Sequence, residues 1–485
     1  MKKSVILRTT AVFICIVMLL STAISCAKEN DAPDQTVNVT VESDLGDNLP
    51  ERDMEGFQLT FLNYTDEAHD FSLKTLVTDD LGSKINEAIY YRNAYVENRF
   101  NAKIMEEQTA TMTDRLQKSA MSGDEEKFQI AMIFDEKVNN SYINGSLSTW
   151  NNMTYCDFER EWWDTDACTL FSHNGNQYGA VGDFSLSMYS KDYCYFFNKD
   201  LYNSIPNAEN VYDLVRNKQW TLDKMLQIGM QYTQDLNGDG MWYDGSDQYG
   251  IGGTVKVHYQ MVFTGAGLKF INVRESGLPT FALNNAKSVE KLSNLIEKFN
   301  DTTCYYNSNP GSPTGGTVPD VFLDGKIVFF ASTIWNFGDQ LKETDFHLGV
   351  LPAPMYDEDQ DRYYSIAIGG QIACVARCIK ESDVENVSIL LEAMSAYSKD
   401  NLIPVYRETI VKTRYSDSLD DSEMVQLLFD TTVLDLGTTI WNNDVRAPIM
   451  KNLFAPLDTG VASYIKRMIP TVENAIKKSM DADVQ

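Results

Sequence analysis

The chain has 485 residues, of which 43% are hydrophobic and 11% aromatic, and it carries 69 acidic against 41 basic residues, a net charge of -28. This length predicts two or three domains, and the aromatic content excludes a mainly disordered polymer. Nucleic-acid affinity depends on Lys and Arg that neutralise phosphates, so this acidic balance excludes a nucleic-acid partner.

The N-terminus predicts export. Basic residues at positions 2, 3 and 8 precede an apolar run over 11–20 that is too short to span a bilayer, so residues 1–25 are predicted to be a signal peptide. Small residues then lead to Cys26, a pattern that resembles a bacterial lipobox with Ala23 in place of the usual Leu. Cys26 would be the lipidated first residue of the mature protein. The alternative is an ordinary secretory peptide that is cleaved elsewhere.

The segment that follows predicts a tether. Residues 27–55 contain no aromatic residue, nine acidic residues and only two basic ones. Such a stretch cannot bury enough apolar surface to offset its chain entropy. We therefore expect a disordered acidic tether over 26–55 and a folded body that begins near Gly56. A strongly acidic exported protein is also expected to stay monomeric.

The first folded segment alternates strands and a helix. Strands are predicted over Gly56–Leu62, Lys103–Met105 and Phe128–Phe134, and a helix over Ile85–Arg99. The order strand, helix, strand predicts a doubly wound α/β lobe.

The middle of the chain repeats this alternation. Tyr193–Asn198 and Ile327–Ala331 are typical of buried strands, and helical patterns cover Val211–Asn217, Thr221–Tyr232 and Val289–Phe299. A second α/β lobe is therefore expected.

The C-terminal third is predicted to be mainly helical. A strand-like run, Ile366–Val375, precedes helices at Val384–Ser398, Ser422–Thr432 and Val461–Lys478.

The sequence allows two hypotheses about the state of the cysteines. Six of them follow Cys26: Cys156, Cys168, Cys194, Cys304, Cys374 and Cys378. Outside the cell they could form three disulfides, although cysteines in a chain this long are more often buried small hydrophobic residues.

One loop has the spacing of a calcium site. Asp235, Asn237 and Asp239 occupy positions 1, 3 and 5 of an EF-hand-type loop with Gly at position 6, and Met241 would add its backbone carbonyl. Position 12 is a serine, so a one-residue bulge would be needed to bring in Asp247. The loop predicts a structural calcium ion, and the alternative is a surface turn without metal.

Catalytic signatures are missing from the sequence. The four histidines are scattered, and no phosphate-binding loop or dinucleotide fingerprint occurs. Carboxylates such as Asp135, Asp164, Asp166 and Asp183 are abundant, and any two could flank a glycosidic bond. A glycosidase is therefore an open but unsupported alternative.

Aromatic residues beside carboxylates favour a sugar ligand. The apolar face of a pyranose stacks on an indole, while its hydroxyls pair with polar side chains. The tryptophans and tyrosines in loop-like segments or at element ends are Trp162, Trp163, Tyr189, Trp242, Trp335 and Trp441. The alternative for each is packing in the core or at a lobe edge.

Five sequence segments resemble elements of one protein family, and they occur in the same order along the chain as in that family. The family is the extracellular solute-binding proteins of the maltodextrin-binding type. The segments are Tyr195–Leu201, Trp220–Asp223, Asp247–Gly250, Gly325–Trp335 and Phe346–Pro354. They extend across most of the mature chain. The resemblance implies a periplasmic-binding-protein-like α/β fold, in which two α/β lobes are joined by hinge crossings and ligand binds between them.

The resemblance also implies lobe boundaries and a ligand site. The first lobe would comprise 56–190 plus 364–415, and the second 191–363 plus 416–485. Trp335 would stack on a sugar, and Asp66, Asp135 and Gln371 would supply polar contacts. Four more residues are assigned to the ligand site by residue type and element position alone: Trp162, Trp163, Asp183 and Trp441.

The resulting expectation is a non-enzymatic lipoprotein, anchored to the cell membrane on its extracytoplasmic face, that delivers a carbohydrate, an oligosaccharide, to the permease of an ABC importer. No organic cofactor is expected. A secreted glycoside hydrolase and a glycan-tethering surface lipoprotein without transport are the alternatives.

Overall fold

Two larger β-sheets, of four and five strands and each covered by helices, organise the described parts of the chain, and three two-stranded sheets accompany them. The computed structural model describes residues 45–65, 75–122, 128–173, 175–242, 245–273, 278–300, 302–307, 317–338, 341, 344–411 and 419–481. All of them lie in one compact unit, Thr40–Gln485.

The described strands are short, and the longest lie in the first sheet and at the centre of the second. They are β1 (Phe57–Tyr64), β2 (Ala102–Thr109), β3 (Ile130–Phe134), β4 (Ser172–His173), β5 (Asn176–Gln177), β6 (Tyr193–Asn198), β7 (Tyr249–Gly252), β8 (Ile271–Val273), β9 (Pro279–Phe281), β10 (Tyr305–Tyr306), β11 (Ile327–Thr333), β12 (Leu348–Leu351), β13 (Ser365–Ile366), β14 (Gln371–Val375) and β15 (Thr432–Val433).

The described helices are longest near the two ends of the folded region. They are α1 (Lys84–Phe100), α2 (Met112–Ser122), α3 (Val138–Ile143), α4 (Thr165–Leu170), α5 (Ser187–Ser190), α6 (Lys199–Ser204), α7 (Val211–Arg216), α8 (Leu222–Tyr232), α9 (Val255–Gly265), α10 (Ala286–Asn300), α11 (Val318–Leu323), α12 (Trp335–Gly338), α13 (Val384–Asn401), α14 (Ile403–Val411), α15 (Leu419–Thr431), α16 (Arg446–Ile449) and α17 (Val461–Asp481).

The first sheet has the strand order β14-β3-β1-β2. β1 pairs in parallel with both β2 and β3, while β14 runs antiparallel to β3. Helix α1 connects β1 to β2; Ser83 caps its start by accepting a hydrogen bond from the Asn86 amide at 3.1 Å, and its end is marked by Asn101 in a left-handed conformation. This is the doubly wound α/β arrangement that the sequence predicts.

The second sheet has the order β10-β7-β11-β6-β12. β11 lies at its centre, parallel to β7 and antiparallel to β6. Every residue of β6 is buried, as expected for a central strand covered on both faces. The predicted second α/β lobe is therefore confirmed.

Three chain segments connect the two sheets. The first precedes β6, where Asp192 forms an isolated bridge with Ala367. The second and third contain β13 and β15, which pair in parallel. The predicted run Ile366–Val375 is in fact divided between β13 and β14, because Gly369 has a φ of +88° that a strand cannot accommodate.

The structured region begins earlier than Gly56. Asp47 accepts a hydrogen bond from the Arg99 guanidinium at 2.5 Å, and Leu45 and Leu49 pack against the core of the first lobe. The end of the acidic segment is therefore ordered by a long-range ion pair and apolar contacts. The predicted signal peptide and Cys26 lie outside the described residues.

The six cysteines after Cys26 are free thiols, and four of them are buried. The structure therefore supports the reading in which they act as small hydrophobic residues. Across the described parts of the chain, no helix combines the length and apolar character needed to cross a membrane.

A buried carboxylate organises the core of the first lobe. Glu392 on α13 is almost fully enclosed and accepts hydrogen bonds from the indole nitrogens of Trp162, at 3.0 Å, and Trp163, at 2.7 Å, and from the Asp157 amide. Burial raises the pKa of Glu392 to about 7, although these donors favour the charged form.

This pKa makes stability depend on pH. The folded chain keeps the Glu392 proton at pH values where the unfolded chain has lost it, so the contribution of this group to the free energy of unfolding falls as pH rises from about 5 to about 7. In Glu392→Gln, a neutral amide replaces the protonated acid. We expect its free energy of unfolding, relative to wild type, to improve by about 2 kcal/mol over that interval.

Urea denaturation at both pH values measures this change. Glu381→Gln, which alters an exposed carboxylate just before α13, is the control and should show no such shift. A difference between Glu392→Gln and wild type that stays constant with pH would contradict the assignment.

Candidate functional site

The candidate site lies at the edge of the first sheet where its parallel strands end. Asn63 is near the end of β1, and Asp135 directly follows β3, which is parallel to β1. Gln371 begins the antiparallel β14 and pairs with Phe134. The three polar side chains therefore share one edge, the usual position of ligand sites in α/β sheets. Asp66 lies outside the described residues.

Asp135 fixes the backbone that enters this edge from the hinge. Its Oδ2 accepts a hydrogen bond from the Gly369 amide at 2.9 Å, and its Oδ1 accepts one from the Glu136 amide at 2.6 Å. Its own amide donates to the Gly370 carbonyl at 2.9 Å. Burial raises the pKa of Asp135 to about 7, and the two amide donors oppose that rise. Asp135 thus holds the left-handed turn at Gly369 in place.

Gln371 carries an acceptor that no described residue uses. Its Nε2 donates to Asn63 Oδ1 at 2.7 Å and to the Met132 carbonyl at 3.3 Å. Its side-chain oxygen, Oε1, has no hydrogen-bond partner in the described parts of the chain, although the residue is only 2% exposed. A buried acceptor without a donor is unfavourable by about 1–3 kcal/mol, so this oxygen is suited to a ligand hydroxyl.

Two cations face this edge. The Lys191 ammonium is buried, and burial lowers its pKa to about 8 even though the nearby Asp135 carboxylate acts in the opposite direction. Arg446 lowers the pKa of Asp135 by its charge, and its Nε donates to Gln260 Oε1 at 2.8 Å. Arg446 thus opposes the rise in the Asp135 pKa, although burial is the larger effect.

Trp335 lies next to the same lysine. Its ring centroid is 5.9 Å from the Lys191 ammonium. Trp335 begins α12 directly after the central strand β11, and the preceding amide, of Ile334, donates to the Asp192 carbonyl at 2.9 Å. The ring is half-buried, so its position is fixed while part of its surface stays accessible.

Three other predicted tryptophans are core residues. Trp162 and Trp163 are each 4% exposed and both donate to Glu392, and Gly182 lies directly against the Trp163 ring. Trp441 is 3% exposed and donates to Ser479 Oγ at 3.0 Å. These indoles are almost fully buried and their nitrogens are hydrogen-bonded within the protein, so the candidate site leaves them out.

Asp183 belongs to a different place in the fold. It is buried, accepts a hydrogen bond from the Tyr189 hydroxyl at 2.6 Å and, because of burial, has its pKa raised to about 7. With Trp163 and Phe429 it lines a cavity of about 790 Å³. The lining of this cavity includes the hinge residues Asp192 and Ala367 but none of the three polar residues at the Asp135 edge. The candidate site therefore leaves Asp183 out as well.

Sequence reasoning did not identify Lys191 or Arg446. Lys191 lies two residues before β6, and Arg446 begins the short helix α16. Neither belongs to a motif, and only the tertiary fold brings them to Asp135. A basic residue at the start of a predicted central strand is the one signal that could have indicated Lys191.

The predicted metal loop connects α8 to β7. Asp235, Asp239 and Asp247 each place one carboxylate oxygen within 4.8 Å of the others. Asn237 Nδ2 donates to Asp239 Oδ2 at 3.0 Å, and the Met241 amide donates to Asp239 Oδ1 at 2.7 Å. The loop is therefore folded around its acidic side chains.

Comparisons with known proteins identify the fold. No family model and no curated protein matches the sequence. A cyclic alpha-maltosyl-1,6-maltose binding protein from Arthrobacter globiformis is similar with a TM-score of 0.53 and 13% identity, over 88% of this chain and 99% of that one. A cyclo/maltodextrin-binding protein complexed with maltotetraose is similar with a TM-score of 0.51 and 13% identity, over 87% and 96%.

At this identity the likeness establishes the fold. The chain has the two-lobe α/β fold of solute-binding proteins, and the resemblance found in the sequence is confirmed at that level.

Proposed function

We propose that this protein binds a carbohydrate, an oligosaccharide, between its two lobes and delivers it to the permease of an ABC importer. The observation that carries the proposal is the unpartnered Oε1 of Gln371 at the Asp135 edge. Lys191 links that edge to the partly exposed ring of Trp335 in the second lobe.

The chemistry of these groups suits a pyranose. Trp335 offers an aromatic surface for the apolar face of a sugar ring. Gln371 offers an acceptor, and Lys191 a donor, for ring hydroxyls. Stacking and hydrogen bonds of this kind give affinity for a polar, uncharged ligand, and the proposed role requires no chemical step.

The ligands of the structural neighbours agree with this class of solute. One neighbour is complexed with maltotetraose, and another binds a cyclic maltosyl-maltose. Both ligands are glucose oligosaccharides, which supports an oligosaccharide for this chain too.

The hinge supports capture by closure. β13 and β15 pair over only two residues each, and the Thr432 hydroxyl donates to the buried Asp192 carboxylate at 2.5 Å. Such narrow connections between rigid lobes are typical of hinge closure around a ligand. Closure would bring Trp335 towards Gln371 and enclose the sugar.

We further propose that the mature protein is a monomeric lipoprotein, anchored through Cys26 on the extracytoplasmic face of the cell membrane. The charged n-region, the apolar run and the small residues before Cys26 support this anchor.

Replacing Trp335 by alanine tests the sugar site. Losing the aromatic surface while the polar contacts remain should weaken oligosaccharide binding by about thirtyfold, equivalent to about 2 kcal/mol. Isothermal titration calorimetry measures the affinity, and thermal melting should stay near that of wild type because the ring is only half-buried.

Trp242→Ala is the matched control, since Trp242 is also half-buried but lies at the metal loop. It should bind the same oligosaccharide as wild type does. Unchanged affinity in Trp335→Ala, or a collapse of its melting temperature, would make Trp335 a structural residue.

The lipid anchor has its own test. Cys26→Ser removes the thiol that would carry the diacyl group, so the acidic mature protein should move from the membrane fraction to the medium. Detergent partitioning and immunoblotting of both fractions measure the change. Retention of Cys26→Ser in the membrane would count against lipidation.

A further inference from the structure

The loop between α8 and β7 contains a carboxylate that the protein leaves incompletely paired. Asp247 is 0% exposed. Its Oδ1 accepts a hydrogen bond from the Leu236 amide at 2.9 Å, but its Oδ2 has no partner among the residues that the structure describes. Burying a carboxylate without a full set of partners is strongly unfavourable, so this oxygen is suited to binding a cation.

Two further carboxylates converge on Asp247. Asp235 and Asp239 each bring an oxygen within 4.8 Å of it and of each other. Among the residues that the structure describes, no Lys or Arg forms an ion pair with these three carboxylates, so no neighbouring side chain relieves their mutual repulsion. A divalent cation would relieve both the repulsion and the burial of Asp247.

The oxygen donors favour calcium over softer metals. Asp235 accepts from the amides of Gly238 and Gly240, at 2.5 and 3.0 Å, which folds the loop back around the acidic groups. Carboxylate, amide and carbonyl oxygens in an irregular loop are the ligands of Ca²⁺, whereas Mg²⁺ requires a near-ideal octahedron.

We infer that this loop binds one Ca²⁺ through the carboxylates of Asp235, Asp239 and Asp247, with the Asn237 side-chain oxygen and the Met241 carbonyl completing the shell. The buried Asp247 supplies the ligand at the end of the loop, one residue after Ser246, which occupies the position where the EF-hand pattern has a glutamate.

The position of the loop assigns the ion a structural role. Asp247 lies two residues before β7, at its amino end, and the adjacent Lys326 ammonium, just before β11, donates to the Gly245 carbonyl at 3.0 Å. β7 and β11 are parallel, and Trp335 follows the carboxyl end of β11. The ion therefore lies at the amino ends of β7 and β11, whereas Trp335 lies at the carboxyl end of β11. It should stabilise the fold without contributing to ligand contacts.

Thermal melting of the full mature chain, in calcium or in chelator, tests the site. A ligand at a hundred times its Kd that binds only the folded state should raise the melting temperature of a chain of this length by about 3 °C. Asp247→Asn should remove that rise, and Glu297→Gln, an exposed change on α10, should keep it. Equal melting of the wild type in calcium and in chelator would overturn the inference.

Terbium provides a second readout that does not depend on stability. Tb³⁺ replaces Ca²⁺ at oxygen sites, and excitation of the neighbouring Trp242 should sensitise its emission. Asp239→Asn alters an exposed side chain, so the variant should fold and yet lose most of the emission. Emission from Asp239→Asn equal to that of wild type would place the metal elsewhere and contradict the assignment.

Discussion

The contact between Asp135 and the Gly369 turn is the constraint on which the candidate site depends. The chain returns from the second lobe through β13 and must enter the first sheet as β14, antiparallel to β3. Asp135 binds the Gly369 amide, and its own amide binds the Gly370 carbonyl, so the turn and the strand edge are held together. This arrangement brings Gln371 beside Asn63 and leaves its Oε1 without a hydrogen-bond partner among the described residues, which supports the acceptor role that we propose for it.

The same carboxylate connects the two lobes electrostatically. Asp135 is fully buried, and burial raises its pKa to about 7; the charge of Arg446 acts against that rise, and the charge of Asp135 in turn raises the pKa of Lys191. The hinge segments must keep these charges near one another, which ties the position of Trp335 to that of the Asp135 edge. Ligand binding and hinge geometry are therefore expected to be coupled.

Local periodicity predicted most of the fold. The bounds of β6 agree with the structure; α1 and α13 extend the predicted helices by a few residues, and α8 begins one residue later than predicted. Interactions between distant residues account for the differences: the Asp47–Arg99 pair orders residues that composition assigns to the tether. For the site, residue type alone could not show that Trp335 is partly exposed while Trp162 is a core residue. The indole nitrogen of Trp162 donates to Glu392, which lies 230 positions away in the sequence. Lys191 likewise acquires its role only from the tertiary fold.

Small-angle X-ray scattering during titration with oligosaccharides tests the central claim most directly. If the two lobes bind sugar between them and close through the hinge, a saturating oligosaccharide should reduce the radius of gyration, and the reduction should saturate at one ligand per chain. A radius of gyration that stays constant across a panel of oligosaccharides, with no saturable binding, would contradict the account.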